Sequence, residues 1–254
     1  MATYKKRGYK PKTQKEKEEV VEEASTTAEV FNTLDEGASK TEEWVVKNQN
    51  YIIGVIGAIA VIVLGYLGYE KFVAEPNQKE AMNEMYTAKK YFDDAASGIS
   101  SDSLYRMAIE GGEGKFGMTD IASEYSGTPA GNLANYYAGM AYLNLKDYQQ
   151  AIEYLDAFSS DDKMLGPIAK GGIGDAFVQL DQLDKGLEYY EKAFKANTND
   201  FTTPLYLLKA ARVALDLGEN QKALDYLKRI ESEFSESTEA GQVEVLIGKA
   251  EASL

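Results

Sequence analysis

Hydrophobic and polar residues follow three different patterns along this chain. The first 41 residues are rich in charge, residues 51–69 form a run without a charged side chain, and the remainder repeats apolar residues at helical spacing. A run of 19 residues makes a helix of roughly 29 Å, close to the hydrocarbon thickness of a bilayer. Every turn carries only Ile, Val, Leu, Ala, Gly or Tyr, so the run lacks the polar face of a core helix. The pattern predicts a single membrane-spanning helix.

The position and flanks of the run favour an uncleaved anchor over a secretion signal. Fifty residues precede it, whereas a signal peptide lies at the N-terminus, and residues 72–74 make a poor cleavage site. Trp44, Tyr51, Tyr66 and Tyr69 lie at or near its ends, where aromatic residues meet the lipid headgroups. We therefore expect an anchor helix over residues 42–74, with residues 51–69 in contact with membrane lipid.

Small residues within the run offer a place for another membrane helix to pack. Gly54 and Ala58 are four residues apart, and Gly57 adds a further notch through which a neighbouring backbone approaches closely. Glycine is also common in membrane spans that have no such role, and both interpretations stay open. The candidate membrane-helix packing site is Gly54, Gly57 and Ala58.

The charged N-terminal segment, residues 1–41, bears on the orientation of the anchor. Its first 12 residues contain five basic side chains and no acidic one: Lys5, Lys6, Arg7, Lys10 and Lys12. Under the positive-inside rule this favours a cytoplasmic N-terminus. We expect a largely flexible tail, with a capping box between Ser39 and Glu42 starting the anchor helix.

Three stretches after the anchor repeat the same pattern of small and bulky residues. The first and second copies are 35 residues apart and the second and third 37. Each copy begins with a small residue (Gly139, Gly174 or Ala211), and three positions later comes Tyr142, Phe177 or Ala214. Twelve positions after the first small residue comes a second one (Ala151, Gly186 or Ala223), and four positions after that comes Leu155, Tyr190 or Leu227. This spacing is similar to the tetratricopeptide repeat, in which small residues let two antiparallel helices touch and bulky ones fill the groove between repeats.

The repeats predict an all-α chain, in which a tetratricopeptide-repeat α-solenoid follows the membrane helix. We expect a helical N-terminal part over 75–128, with its first helix beginning near Gln78, three repeats over 129–233 and a capping helix over 234–254. The consensus tryptophan and closing proline are missing. Gly171 and Gly172 lie inside a predicted helix, where each costs about 1 kcal/mol relative to alanine, so the middle repeat is expected to be looser.

Composition narrows the possible functions. The chain has no cysteine and no histidine, which removes thiol nucleophiles, imidazole bases, Cys or His zinc sites and disulfides. Residues 1–50 carry 9 basic and 10 acidic side chains, a net charge of −1, whereas residues 51–254 carry 18 and 31, a net charge of −13. Such an acidic domain repels phosphate, so we expect no nucleic-acid partner.

Two motifs resemble catalytic or cofactor sites. The stretch "GGEGKFG" places Gly112, Gly114 and Gly117 in a G-x-G-x-x-G spacing, but the dinucleotide site needs a preceding strand and none is predicted. The paired carboxylates at 93–94 and 161–162 fall at predicted helix ends or loops. We expect a loop and solvated turns, no catalytic residue, no cofactor, no metal and no small-molecule substrate; an acid-only active site is a remote alternative.

The first helix of each repeat provides the candidate partner-binding surface. By analogy with the repeat consensus its lining is mostly apolar: Leu133, Tyr136, Met140 and Leu143, then Ile168, Asp175 and Val178, then Leu205, Leu208, Arg212 and Leu215. We select Tyr136, Met140, Asp175, Lys209 and Arg212 as candidate contacts and expect much of the remaining lining to be core. Only Lys209 and Arg212 are available to clamp a peptide carboxylate, so such a clamp is not expected.

The arrangement as a whole resembles the YfgM-type ancillary subunit of the bacterial Sec translocon. The matching segments are "TEEWVVKNQNYIIGVIGAIAVIVLGYLGYEKF" and "IASEYSGTPAGNLANYYAGMAYLNLKDYQQAIEYLDAF". The resemblance implies an inner-membrane anchor, a cytoplasmic N-terminus, a periplasmic repeat domain and association with SecYEG and a PpiD-like chaperone.

Two alternatives keep the anchor and the repeats. One is a scaffold for another envelope complex, in cell division or cytochrome biogenesis; the other is an organelle-anchored cytosolic receptor.

Overall fold

The computed structural model describes residues 42–98 and 101–254. Chain contacts divide it into two compact units, Met1–Tyr69 and Glu70–Leu254. The charged tail and most of its predicted capping box lie outside the described residues.

The described part of the first unit is helical. Residues 42–47 form a helical segment with a turn at Asn48, and helix α1 spans Gln49–Tyr69. The carbonyl of Trp44 accepts hydrogen bonds from the backbone N–H (3.0 Å) and the side-chain amide (2.7 Å) of Asn48, which closes the turn. No residue of α1 is buried. Within the described ranges, the helical run Gln49–Ala96 is the one long and apolar enough to cross a membrane.

The second unit begins with a π-helical segment, Glu70–Ala74, and helix α2, Glu75–Ala96. Pro76 has no N–H to donate to the carbonyl of Phe72, so the regular α-helical ladder is interrupted there. Helices α3 (Ser101–Glu110) and α4 (Met118–Glu124) follow. Met85 and Ala88 of α2 pack against Met118 and Ile121 of α4 in one buried cluster.

Three helical hairpins follow. Helices α5 (Pro129–Asn144) and α6 (Tyr148–Ala157) form the first, α7 (Leu165–Gln179) and α8 (Leu183–Ala196) the second, and α9 (Thr202–Asp216) and α10 (Asn220–Glu233) the third. Successive helices pack against each other, and no strand occurs in residues 42–98 or 101–254. The prediction of a helical repeat architecture is confirmed for this part of the chain.

The same turn closes the first helix of every hairpin. Lys146, Asp181 and Gly218 occupy equivalent positions with φ of 62°, 58° and 76°. The N–H groups of the residues that follow them donate to the carbonyls of Tyr142, Phe177 and Ala214, at 2.9, 2.9 and 2.8 Å. These are Schellman motifs, which satisfy carbonyls that the helix end leaves unpaired. The predicted turns in "LKDYQQA" and "LGENQKA" are therefore helix stops with a left-handed residue.

The small residues of the repeat mark close helix crossings within each hairpin. A Cβ atom added to Gly139 on α5 would lie 2.6 Å from Cγ of Leu155 on α6. A Cβ atom added to Gly174 on α7 would lie 2.6 Å from Cδ1 of Tyr190 on α8. Both distances are shorter than van der Waals contact, so glycine is required for the helices to approach this closely.

The middle repeat was predicted to pack loosely because of Gly171 and Gly172. That prediction is wrong at these two glycines, which are closely packed. Gly171 and Gly172 are buried within α7, and the ring of Tyr206 on α9 lies against Gly171 where a side chain would otherwise be. Leu155 approaches Gly172 from the preceding hairpin, 3.0 Å from where a Cβ atom would lie. The glycines lower intrinsic helix propensity but allow close packing between hairpins, which sequence spacing alone did not reveal.

The last hairpin is covered by a shorter helix than predicted. After α10 the chain forms a 3-10 turn, Thr238–Gln242, and helix α11, Val243–Glu251. Ser237 starts this segment, and its side-chain oxygen accepts a hydrogen bond from the N–H of Ala240 at 3.3 Å. Val243 packs into the same buried cluster as Ile230 of α10, so the apolar face of the third hairpin is covered.

Candidate interaction surface

The first helices of the hairpins, α5, α7 and α9, carry the five candidate contact residues. Of these, the structure brings Asp175 and Lys209 into direct contact. It places Tyr136 and Met140 in one cluster between the first and second hairpins, and it places Arg212 on the exposed side of α9. Partner binding by these five residues stays a prediction.

Asp175 and Lys209 form a cross-helix ion pair with a third member. Lys209 Nζ lies 2.7 Å from Oδ1 and 2.8 Å from Oδ2 of Asp175. The hydroxyl of Tyr190 donates a hydrogen bond to the same Oδ1 at 2.6 Å. Residues from α7, α8 and α9 therefore meet at one carboxylate. Because both charged side chains are about one-third exposed, this ion pair alone contributes of the order of 1 kcal/mol.

The tyrosines beside this ion pair are deeply packed. Burial raises the pKa of the Tyr190 phenol, and the negative charge of Asp175 raises it further. Burial and the same charge raise the pKa of Tyr206. The two rings are stacked with centroids 6.2 Å apart, and Lys209 Nζ lies 5.8 and 5.7 Å from them. The cluster thus joins the second hairpin to the third through the stacked rings and the ion pair.

Neither basic candidate is arranged as a carboxylate clamp. Lys209 is neutralised by Asp175, and the Arg212 guanidinium donates to the side-chain oxygen of Gln242, in the 3-10 turn before α11. A peptide carboxylate would have to displace Asp175 to reach Lys209. The absence of a carboxylate clamp stays a prediction.

Tyr136 lies mostly below the surface. Its side chain is only 9% exposed, and its ring packs at 5.2 Å from Phe158 and 5.5 Å from Tyr137. Burial raises the pKa of the Tyr136 phenol. Met140 is half-buried in the same cluster and is the more accessible of the pair. Of the two, Met140 is therefore better placed than Tyr136 for the predicted partner contact.

The motifs that resembled catalytic sites have structural roles. Residues 111–117 form the connection between α3 and α4, with a helix and not a strand before it. The backbone N–H of Gly117 donates to Oδ2 of Asp120 at 3.2 Å and caps α4. Asp162 accepts hydrogen bonds from the N–H groups of Met164 and Leu165, each at 2.8 Å, and these bonds lower its pKa. The part of the chain that the structure describes contains no cluster of three acidic side chains fit for a metal ion.

The candidate membrane-helix packing site has open surroundings. A Cβ atom added at Gly54 or Gly57 would meet no atom within 4 Å, and Ala58 is exposed. The structure thus leaves this face of α1 available, and helix packing there stays a prediction.

Sequence reasoning missed Tyr206 and treated Tyr190 only as a groove-filling residue. The sequence does hold one indication of the role of Tyr206. Gly171 lies inside a predicted helix, and Tyr206 is a large residue on the first helix of the next repeat. The hydroxyl of Tyr190 signalled a polar partner, because a buried tyrosine usually hydrogen-bonds through its oxygen. Neither signal identifies the partner without the packing.

A family model supports the repeat assignment for part of the chain. Residues 120–162 and 172–237 match the family model for the tetratricopeptide repeat. A crystal structure from Podosopora anserina, described as a kinesin light chain with nearly identical TPR-like repeats, is similar to this chain at 13% identity and a TM-score of 0.49, over 69% of this chain and 87% of that one. No curated protein sequence matches significantly. The matched residues make up less than half of the chain and are similar to the tetratricopeptide repeat, a fold that typically mediates protein-protein interaction and is non-catalytic.

Proposed function

We propose that this chain is a protein-interaction scaffold and acts as a membrane-anchored adaptor of the bacterial inner membrane. Its repeats would hold a periplasmic chaperone or an emerging polypeptide beside the Sec translocon. The adaptor performs no chemistry; it raises the local concentration of its partner at the membrane.

The exposed apolar surface of α1 is the main observation in support of a membrane anchor. Seven of its aliphatic side chains are each more than half exposed: Ile53, Ile56, Ile59, Val61, Ile62, Leu64 and Leu67. Leaving one such side chain in water forgoes about 1.5–3 kcal/mol of burial free energy, so lipid contact for all seven is favourable by at least roughly 10 kcal/mol. A soluble protein rarely leaves so large an apolar surface uncovered.

The sequence on either side of α1 supports the orientation. The basic first 12 residues favour the cytoplasm, and the acidic repeat domain would then lie in the periplasm. The translocon and the PpiD-like chaperone enter this proposal through the resemblance to YfgM-type subunits alone.

Alkaline carbonate extraction of cell membranes tests the anchor. The wild-type chain should remain in the membrane pellet. Replacing Ile59 and Ile62 with lysine places two charges near the middle of the run, each costing about 2.5–3.5 kcal/mol in lipid, and should release the chain. The matched control replaces Met82 and Tyr86, exposed apolar residues of α2, with lysine and should stay in the pellet. Release of the wild-type chain would contradict the anchor.

Single cysteines test the orientation, because the natural chain has none. Ser25→Cys in the tail and Ser97→Cys after α2 are labelled in intact spheroplasts with a membrane-impermeant maleimide. Only Ser97→Cys should react before lysis, and the reverse pattern would contradict the proposed topology.

Crosslinking tests the translocon. A photoreactive residue at Gly54 or Gly57, where the helix has open space, should capture SecYEG subunits in living cells. Reproducible capture of a different envelope complex, with no translocon subunit, would assign the adaptor to that complex and reject the Sec proposal.

A further inference from the structure

Helix α11 repeats the pattern of the first helix in each hairpin. It aligns with α9 at an offset of 37 residues, which is also the offset between the second and third repeats. The aligned small residues are Gly139, Gly174, Ala211 and Gly248, and the aligned leucines beyond the helix ends are Leu145, Leu180, Leu217 and Leu254. The chain therefore carries the first half of a fourth repeat after its third hairpin.

Helix α11 packs on α10 as an earlier first helix packs on the second helix before it. Val243 and Ala250 are buried, and so are their equivalents on α9, Tyr206 and Val213. Val243 also lies in the buried cluster that α9 and α10 share. One face of α11 is therefore occupied by the third hairpin.

The other face of α11 is uncovered in the part of the chain that the structure describes. In the first and second hairpins, the second helix lies 2.6 Å from a Cβ atom added to the aligned glycine, whereas no atom lies within 4 Å of one added to Gly248. Val245 is 79% exposed, and Leu208, its equivalent on α9, is 5% exposed. A surface that is internal in the hairpins is thus exposed in the fourth copy.

The complete hairpins show which element covers this face. It is an antiparallel helix that turns two adjacent residues toward the first helix. In the first hairpin, Tyr154 stacks on Tyr142 with ring centroids 5.4 Å apart, and the next residue, Leu155, covers the small residue. Tyr189 and Tyr190 form the same pair in the second hairpin. The uncovered face of α11 continues this row of helix-helix interfaces.

Glu251 changes what the first residue of such a pair would meet. It occupies the α11 position that corresponds to Tyr142 and Phe177, and it is exposed. A carboxylate there favours a lysine or arginine opposite, in place of the tyrosine. A helix that fits this face therefore carries a basic residue followed by a bulky apolar residue, which packs on Gly248.

The face is too small to hold two copies of this chain together by itself. Helix α11 has nine residues and is roughly 14 Å long. A stable dimer buries about 800 Å² on each partner, far more than one face of so short a helix provides. A helix from a partner needs less area, because helix-in-groove contacts depend on a few anchoring residues.

We propose that the uncovered face of α11 binds an amphipathic helix of a partner polypeptide and so completes a fourth hairpin. The bound helix lies antiparallel to α11, with a lysine or arginine opposite Glu251 and the following bulky residue on Gly248. This site differs from the candidate surface on α5, α7 and α9 and requires neither the membrane anchor nor the translocon. Its failure leaves the proposed adaptor function in place.

Completing the hairpin within one chain tests whether the face accepts a helix. A second copy of residues 181–196, with Tyr189→Lys, is joined directly after Leu254, because Leu180 precedes the same segment in the second hairpin. In a non-ionic detergent, the extended full-length chain should have a Tm at least about 4 °C above that of the natural chain. An unchanged Tm would overturn the proposal.

Gly248 provides the variant that blocks the site. Gly248→Leu should cancel the rise in Tm, measured against the unextended chain with the same substitution, because leucine fills the space of the incoming bulky residue. The matched control is Lys249→Leu, at a neighbouring exposed position, and it should keep the rise. Equal rises with both substitutions would show that the added helix packs elsewhere and would overturn the proposal.

Fluorescence anisotropy tests binding of a separate helix to the full-length chain in the same detergent. The probe is a labelled peptide of residues 181–196 with Tyr189→Lys, held helical by a hydrocarbon staple across positions 184 and 188, which are exposed in α8. It should bind saturably, and Gly248→Leu in the chain should weaken it by about tenfold or more. Absence of binding, or equal binding to the variant, would overturn the proposal.

Charge reversal tests the residue opposite Glu251. Glu251→Lys should weaken the same peptide by about fivefold at low ionic strength. Asp161→Lys makes the same change in net charge in the connection between the first and second hairpins and should leave the affinity unchanged. Equal weakening by both variants would overturn the role assigned to Glu251.

Sedimentation of the full-length chain in the same detergent tests a second copy as the occupant. We expect Val245→Glu to leave the oligomeric state unchanged. Dimers that form in the natural chain and are lost in this variant would assign the face to a second copy and overturn the partner helix.

Discussion

Replacing Gly171 with alanine should destabilise this protein, although alanine is the better helix former. Gly171 lies in the interior of α7, where the change to alanine would by itself stabilise the helix by about 1 kcal/mol. The added Cβ atom would overlap Cε1, Cζ and the hydroxyl oxygen of Tyr206. The sign of the effect therefore depends on whether the tyrosine ring can move.

The packing around Tyr206 leaves little room for such a movement. The residue is only 4% exposed, and its ring stacks on Tyr190 with an interplanar angle of 19°. Overpacking in a well-packed core costs about 1–3 kcal/mol, and the direct overlap with the ring places this site at or above the upper end. After subtraction of the helix-propensity gain, we expect a net loss of about 2 kcal/mol. For a domain of this size, that lowers Tm by about 4–8 °C.

Thermal unfolding followed by circular dichroism measures the change in the full-length chain. Gly248→Ala provides the matched control, because Gly248 also lies inside a helix, α11, but no atom lies within 4 Å of its added Cβ. This control should raise stability by up to about 1 kcal/mol. If Gly171→Ala raised Tm as the control does, the close packing of Tyr206 on α7 would be refuted.

Three further predictions follow from the hairpins. Asp175→Ala removes the acceptor of the Tyr190 hydroxyl and the partner of Lys209, and should lower the free energy of unfolding, measured in urea, by about 1–3 kcal/mol. Asp175→Asn keeps an acceptor oxygen and should lower it by less. If both variants lost the same stability, the hydrogen bond from Tyr190 would be rejected. Asp181→Gly relieves a left-handed backbone conformation with φ of 58° and should stabilise by about 0.5–1 kcal/mol, whereas a loss of stability would contradict the turn geometry. The raised pKa values of Tyr190 and Tyr206 keep both phenols protonated in the folded state, while in the unfolded chain they ionise near pH 10.0. The free energy of unfolding is therefore fully retained below that pH and falls above it by about 1.4 kcal/mol per pH unit for each tyrosine. In the same unfolding assay, a variant with phenylalanine at both positions should lose less stability as the pH rises above 10.0.

The local pattern of this sequence was sufficient to locate the hairpins. Small residues such as Gly139 and Gly174 recur at a fixed offset because two helices of one hairpin touch at the same place in each copy. The turns were also predictable, because a helix stops where a left-handed residue lets the chain reverse. Both features depend on neighbours within a single repeat and therefore leave a period in the sequence.

The roles of individual side chains on the candidate surfaces were decided by the tertiary structure. Lys209 looks accessible in the repeat pattern, but it is neutralised by Asp175, 34 residues earlier in the chain. From the sequence, Gly171 predicts a weak helix. In the structure, the ring of Tyr206 from the next hairpin packs against Gly171. One surface cavity likewise combines Asp200 and Phe201 with residues 233–239 at and beyond the end of α10.

The sequence by itself thus determined where the chain forms helices, where it reverses and which run is apolar enough for lipid. Those properties follow from periodicity and composition within a few turns of helix. Which charges are paired, which tyrosines are buried and which acids share a cavity depends on how successive hairpins stack. That packing is set by side-chain shape across helix surfaces, and it leaves no period in the sequence from which to predict these partners.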